Sequence, residues 1–235
     1  NSLEDRKLVR KLYEASSAGD FNEGAVHILF MNADGTASST VKISDGENGG
    51  PSLANSEQFG SAVANIGDRN NDGVIDLAVG ARGYSSSDGA VYILYMNADG
   101  SVSSSLRISD GENGGPAIPV FEGFGYAVAD VGDIDGNGIA DLAVGSPFYD
   151  AKPGDGDEGA IHILFMNQDE TVASSIRVTD NTNGMPAITN ESEFGSSISA
   201  LGDINGDDVP DFVVGAPGAG SIFTLYMNAE GTVSN

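Results

Sequence analysis

Between Phe59 and Ser109 the apolar positions fall into four short groups separated by polar turns. "FGSAVANIG" (59–67) alternates well enough for a half-buried strand, and "VIDLAVGA" (74–81) is a short apolar run ending in glycine. "GAVYILYMN" (89–97) is rich in β-branched and aromatic residues, and "SVSSSLRIS" (101–109) alternates polar with apolar side chains. Runs this short, with a period of two or none, predict strands, here lettered A to D. "NADG" between C and D is a tight hairpin signal. The Gly/Asn/Pro-rich "SDGENGGP" at Ser44–Pro51 and Ser109–Pro116, and "TDNTNGMP" at Thr179–Pro186, predict the loops from D to the next A.

The pattern repeats. "GDRNNDGVIDLAVG", "GDIDGNGIADLAVG" and "GDINGDDVPDFVVG" begin at Gly67, Gly132 and Gly202, 65 and 70 residues apart. Phe59-Gly60, Phe124-Gly125 and Phe194-Gly195 stand just before them, and "GAVHILFMNADG", "GAVYILYMNADG", "GAIHILFMNQDE" and "GSIFTLYMNAEG" form a strand C column from Gly24, Gly89, Gly159 and Gly220. Four antiparallel strands at this period predict an all-β chain, a β-propeller built from four-stranded blades. The Phe would plug between blades while its Gly lets backbones approach. The ends are uneven. The first copy has C and D (Gly24–Ser44) without Phe-Gly or acidic loop, and counting back from "DLAVGAR" (76–82) reaches "KLYEASS" (11–17), at best an eroded strand B. The last copy stops at "GTVSN" as D begins. The expectation is about three and a half to four blades, near 20–45, 59–110, 124–180 and 194–235, after a divergent segment 1–19.

The stretch before each strand B carries the candidate chemistry. Positions 1, 3, 5 and 9 are Asp68, Asn70, Asp72 and Asp76 in the first loop, Asp133, Asp135, Asn137 and Asp141 in the second, and Asp203, Asn205, Asp207 and Asp211 in the third. Position 2 varies, as Arg69, Ile134 and Ile204. Three or four hard oxygens per loop, with a backbone carbonyl at position 7 (Val74, Ile139, Val209), suit Ca2+. Zn2+ would want His or Cys, and Mg2+ stricter octahedral geometry. Position 12 is Val79, Val144 or Val214 where an EF-hand needs a bidentate Glu, so the loop is closed at position 9 inside a hairpin. An Asp/Asn-rich turn without metal is the competing reading, and three copies in register weigh against it. Asp208 replaces the usual Gly at position 6 of the third loop, a source of strain.

Composition narrows the partners. Thirty-five acidic residues against 10 basic ones give a net charge of −25 in 235 residues. That surface repels nucleic acid and anionic membranes and attracts divalent cations. A salt-adapted surface accounts equally well for the total. With no Cys there is no disulfide, and a metal can do the stapling of an extracellular domain. No apolar run approaches the about 20 residues of a membrane span. The charged opening "NSLEDRKLVRKLYE" reads as that of a mature or excised chain. The only histidines, His27 and His162, share a strand C column with Tyr92 and Phe223, which marks a packing or aromatic surface position and not catalysis. No nucleophile triad, phosphate loop or HExxH is present, so no catalytic residue and no enzyme is expected. Asp45, Glu47 and Asn48 recur as Asp110, Glu112 and Asn113 and as Asp180, Thr182 and Asn183. They read as connecting loops, with a second cation or sugar contact as the alternative.

Phe-Gly, the Asp/Asn loop, "DLAVGA" or "DFVVGAP", and "GAVYIL" together resemble the FG-GAP repeat of integrin α-subunit propellers, over most of residues 20–235. The resemblance implies a propeller, usually seven-bladed, with Ca2+ in hairpin loops, here at three sites. It implies an extracellular or cell-surface module for adhesion, with a protein or glycan ligand. The alternative is a carbohydrate-binding, lectin-like propeller, for which no Trp and 7 Tyr supply few aromatic platforms. Two chains of about three and a half blades would sum to seven, so head-to-tail self-association, as ring or filament, is a further expectation.

Overall fold

In the computed structural model, residues 6–12, 22–150 and 156–234 are described. They form four antiparallel sheets. Sheet 1 has the order β1 (Arg6–Leu12), β2 (Ala25–Met31), β3 (Ala37–Ile43), and sheet 2 the order β4 (Phe59–Asn65), β5 (Leu77–Ala81), β6 (Ala90–Met96), β7 (Val102–Ile108). Sheet 3 follows as β8 (Ala127–Gly132), β9 (Asp141–Ser146), β10 (Ala160–Met166), β11 (Val172–Thr179), and sheet 4 as β12 (Ser197–Gly202), β13 (Asp211–Ala216), β14 (Ser221–Leu225). Each strand pairs with its successor in the chain, as the blade pattern requires.

Two strands depart from the sequence expectation. The first-sheet partner of β2 is Arg6–Leu12, with Leu8 opposite Leu29, and not a strand over 11–17. It therefore lies inside the segment 1–19 that shows no repeat. Residues 13–17 are outside the described residues. The strand escaped recognition because Arg10 and Lys11 stand opposite His27 and Val26, where sheet 2 has Val79 and Gly80 opposite Tyr92 and Val91. Sheet 4 has its outer strand only as a bridge between Met227 and Val233.

The core lies between the sheets. Three hydrophobic clusters occupy the three junctions: Val26, Ile28 and Ile43 with Tyr92 and Leu94, then Val91, Ile93 and Ile108 with Leu142 and Leu164, then Ile161, Ile163 and Val178 with Phe212 and Leu225. Alternate residues of one strand thus face opposite neighbours, which is why strand C shows no polar face in the sequence. No such cluster joins sheet 4 to sheet 1 among the described residues.

Each junction is set by backbone. Gly24, Gly89 and Gly159 form parallel bridges to Phe59, Phe124 and Phe194 of the next sheet. The Phe N–H groups donate to the carbonyls of Glu23, Asp88 and Glu158 at 2.7, 3.0 and 3.0 Å. A Cβ on Gly89 would lie 1.9 Å from the Phe124 carbonyl oxygen, so only glycine fits. The buried Phe rings then pack edge-to-face on the strand C aromatic column: Phe59 on Tyr92, Phe124 on His162 and Phe194 on Phe223, with centroids 5.5, 5.3 and 5.5 Å apart.

The D-to-A loops complete the junctions. Asn48, Asn113 and Asn183 donate their side-chain N–H to the carbonyls of Lys42, Arg107 and Arg177. Their own carbonyls accept from Val102, Val172 and Val233 of the next sheet. Asp45, Asp110 and Asp180 accept from the N–H of Leu53, Ile118 and Ile188. These recurrent residues hold the loop, which supports the connecting-loop reading.

Phe124→Ala is expected to destabilise the chain by about 3–5 kcal/mol, read from the denaturant midpoint. Gly89→Val should be at least as severe, because backbone must move. A loss under about 1 kcal/mol in both would contradict a core built at the junctions.

Candidate metal centre

The three acidic loops link β4 to β5, β8 to β9 and β12 to β13. Within each, the same hydrogen bonds recur. The position 1 carboxylate accepts from the backbone N–H groups of positions 5 and 6: Asp68 from Asp72 and Gly73, Asp133 from Asn137 and Gly138, Asp203 from Asp207 and Asp208. Position 3 also accepts from the position 5 N–H, through Asn70, Asp135 and Asn205. Position 5 accepts from the N–H of position 7, namely Val74, Ile139 and Val209. Backbone donors therefore preset the side-chain oxygens. Asp208 sits at φ 67, with Gly73 and Gly138 at 86 and 88, so the strain expected at this non-glycine is present.

Position 9 anchors the loop. Asp76, Asp141 and Asp211 are buried. One oxygen accepts from the N–H of position 2 (Arg69, Ile134, Ile204) and the other from the last residue of the apolar run in strand C (Met96, Met166, Met227), at 2.8 to 3.0 Å. The loop is thereby tied to strand C, the neighbour of strand B in its own sheet. Burial raises the Asp76 carboxyl above its usual range and raises Asp141 to about 6, with Asp135 and Asp133 adding repulsion. Hydrogen bonds from Gly206 and Asp208 hold exposed Asp203 low.

Only the second loop brings three carboxylates together among the described residues: oxygens of Asp133, Asp135 and Asp141 lie within 4.8 Å of one another. Each loop holds three Asp and one Asn, the Asn standing at position 3 in the other two (Asn70, Asn205) and at position 5 in the second (Asn137). In the second loop the donor set is all oxygen and converging, with the carboxylates under mutual repulsion, which fits a hard divalent cation.

Position 2, dismissed in the sequence as a variable neighbour, does structural work. The Arg69 guanidinium donates to the carbonyls of Ile66 and Ala140 at 2.6 and 2.9 Å and to Asp130 at 3.1 Å, with Glu170 at 3.5 Å. It clamps the first loop onto sheet 3. Ile134 fills the corresponding place with an apolar side chain buried against sheet 4. Residues 61 to 101 positions apart meet here, which no local pattern reveals.

Three members of the histidine column, Tyr92, His162 and Phe223, pack against a Phe ring, and His27 is half-buried. His162 is buried and bonded to Glu122 at 2.5 Å, while Tyr92 donates to Glu57 at 2.9 Å. Glu57 and Glu122, two residues before each Phe, were missed in the sequence. Ser192 stands at that position opposite Phe223, which has no polar atom to bond.

Two segments, 124–164 and 194–234, match the model of the FG-GAP repeat. Integrin alpha-3 of Cricetulus griseus is 32% identical over 166 residues, 67% of this chain and 14% of that protein. Integrin alpha-7 of Mus musculus is 36% identical over 115 residues, 47% of this chain and 9% of that protein. A phosphatidylinositol-glycan-specific phospholipase D of Bos taurus is 34% identical over 165 residues, 64% of this chain and 18% of that protein. The chain thus spans less than a fifth of the length of each of these relatives.

Two outcomes follow from this geometry. Without metal, the raised pKa of Asp141 favours its neutral form in the fold. Its contribution is full below 3.8 and lost as pH rises through about 6. Cation binding needs the carboxylate and runs the opposite way. The gap between melting temperatures in Ca2+ and in chelator should therefore widen from about pH 5 to about pH 7.5, and Asp141→Asn should narrow it. An equal gap at both would contradict the assignment. Arg69→Ala should destabilise by about 3–5 kcal/mol, since it leaves buried Glu170 unpaired, and adding Glu170→Gln should recover part of that in a double-mutant cycle.

Proposed function

The chain carries FG-GAP repeats, and from that premise we propose that it is a calcium-stabilised propeller module of an extracellular, integrin-like protein, serving adhesion or protein interaction without catalysis of its own. The carrying observation is the acidic loop, present three times with one hydrogen-bond pattern and ending each time in a buried Asp bonded to strand C. Asp68, Asn70, Asp72 and Asp76, with the Val74 carbonyl, would hold one Ca2+. Asp133, Asp135, Asn137 and Asp141, with Ile139, would hold a second, and Asp203, Asn205, Asp207 and Asp211, with Val209, a third. The cation removes the repulsion within each loop and fixes the turn from strand A to strand B.

The similarity to integrin α subunits supports a cell-surface setting and a protein ligand. One relative is named as a phospholipase, so repeats of this kind occur in a protein that also carries an enzymatic title. In this chain the buried His162 and its Glu122 partner support a packing role, and the loop carboxylates are engaged with backbone.

Titration calorimetry should give three Ca2+ per chain, falling to two in each of Asp76→Ala, Asp141→Ala and Asp211→Ala. At a thousandfold excess over Kd each site adds ~4 kcal/mol, so chelator should lower the melting temperature substantially. A stoichiometry of zero, or a melt indifferent to chelator, would overturn the calcium reading. Glycan-array binding without any protein ligand would favour the lectin alternative.

A further inference from the structure

Basic side chains recur at one position of strand D. Lys42, Arg107 and Arg177 stand five residues before Glu47, Glu112 and Thr182 of the connecting loop. Sheets 1 and 2 show what this position holds. In sheet 2, Glu112 accepts a two-pronged pair of hydrogen bonds from Arg107, Nε to Oε2 at 2.8 Å and Nη2 to Oε1 at 3.0 Å. Ser109 Oγ donates to the same Oε2 at 2.8 Å. In sheet 1, Ser44 Oγ donates to Glu47 at 2.8 Å, and Lys42 Nζ stands 3.8 Å from it.

Sheet 3 keeps the cation and loses the acid. The turn itself is unchanged, since the Thr182 N–H donates to the Thr179 carbonyl at 3.0 Å, as the Glu112 N–H does to Ser109. The Thr182 hydroxyl is occupied within that turn by the Thr179 carbonyl and N–H. The Thr179 hydroxyl turns away to the Gly159 carbonyl at 2.7 Å. Among the described residues the Arg177 guanidinium meets no carboxylate and makes no hydrogen bond. It lies over the Tyr149 ring, 4.2 Å from the centroid, as Arg107 lies over Tyr84 at 4.5 Å. The ring holds the guanidinium in both sheets, so the cation is positioned with or without its acid. Beside it is an open hollow of about 390 Å3, lined by Tyr149, Ser175, Ile176, Arg177, Thr182 and Asn183.

We propose that this hollow is a carboxylate-binding site, filled by an acidic side chain of a partner polypeptide. The partner supplies to Arg177 the group that Glu112 supplies to Arg107 within the chain. A guanidinium fork on a carboxylate is strong and directional, and Arg177 is already half-buried and held by Tyr149, so little of its freedom is left to lose. A net charge of −25 repels polyanions at long range. The fitting partner therefore presents a single acid on a neutral or basic surface. Arg177 pairs with His162 near the start of strand C, at the end of sheet 3 away from its acidic loop. The site thus needs no metal, and it names a partner chemistry for the interaction reading above, on which it rests.

The test titrates the whole chain, in saturating Ca2+, with an acetylated and amidated Gly-Glu-Gly peptide and follows the Arg177 Nε–H resonance by NMR. A saturable shift is expected, with binding at least about tenfold weaker for the Gly-Gln-Gly peptide. Thr182→Glu restores the acid within the chain and should abolish the response without lowering the melting temperature. Glu112→Thr should do the reverse and make the Arg107 Nε–H respond to the Glu peptide. An unmoved Arg177 resonance, an equal response to both peptides, or a response that Thr182→Glu leaves intact overturns the proposal. Glucuronate binding more tightly than the Glu peptide would assign the hollow to a sugar acid and overturn the polypeptide assignment. A concentration-dependent dimer that Thr182→Glu abolishes would assign it to a second copy and overturn the partner assignment. Calcium stoichiometry is read separately by calorimetry, so failure here leaves the metal reading standing.

Discussion

The structure depends on a backbone-to-backbone approach too close for any Cβ. At each junction a glycine ahead of strand C lies against the carbonyl of the next sheet's Phe. Two sheets brought that near must interdigitate their side chains, and interior packing at near-crystalline density follows. Burial of both faces of strand C is a consequence of that approach, as is the buried aromatic pair beside it.

The acidic loops are coupled to the same constraint. Position 9 reaches back to strand C of its own sheet, and position 2 reaches forward to the next. A loop that repels itself electrostatically is therefore built into the packing of two sheets. Its charge state and the tightness of the junction are one problem, and a change in either is felt in both. Asp141 shows the tension most clearly, since burial raises its pKa while two neighbouring carboxylates add to the shift.

Much of this was legible in the chain. Strands read over 59–67, 89–97 and 101–109 lie at Phe59–Asn65, Ala90–Met96 and Val102–Ile108, because local periodicity and turn residues specify them. The strand read over 74–81 begins only at Leu77, since residues 74–76 belong to the acidic loop. The register of the Asp/Asn positions was readable because three copies in one chain separate what recurs from what drifts. Arg69 was not readable. Its partners lie in another repeat, and its own counterparts are isoleucines, so drift concealed a clamp. The first strand was misplaced because its basic side chains break the apolar pattern that marks the others. Glu57 and Glu122 were invisible for a different reason, since a buried carboxyl in a loop looks like any solvated acid until its phenol or imidazole partner is seen.

Those two acids also constrain how the repeats could have diverged from one another. Ser192–Phe223 differs from Glu57–Tyr92 and from Glu122–His162 at both members, so two substitutions separate either acid-bearing repeat from the last one. The routes between them are not equivalent. Serine opposite tyrosine leaves a hydroxyl short of one bond, a loss of about 1–3 kcal/mol that a marginally stable chain can survive. Glutamate opposite phenylalanine leaves one carboxylate oxygen without its side-chain partner in a closed junction, even where a backbone N–H holds the other as Ala54 holds Glu57, and burying that oxygen is the more damaging. Whichever repeat came first, the passable intermediate is the one with the small hydroxyl and the polar ring. The packing of a single aromatic thus sets the order in which history could proceed.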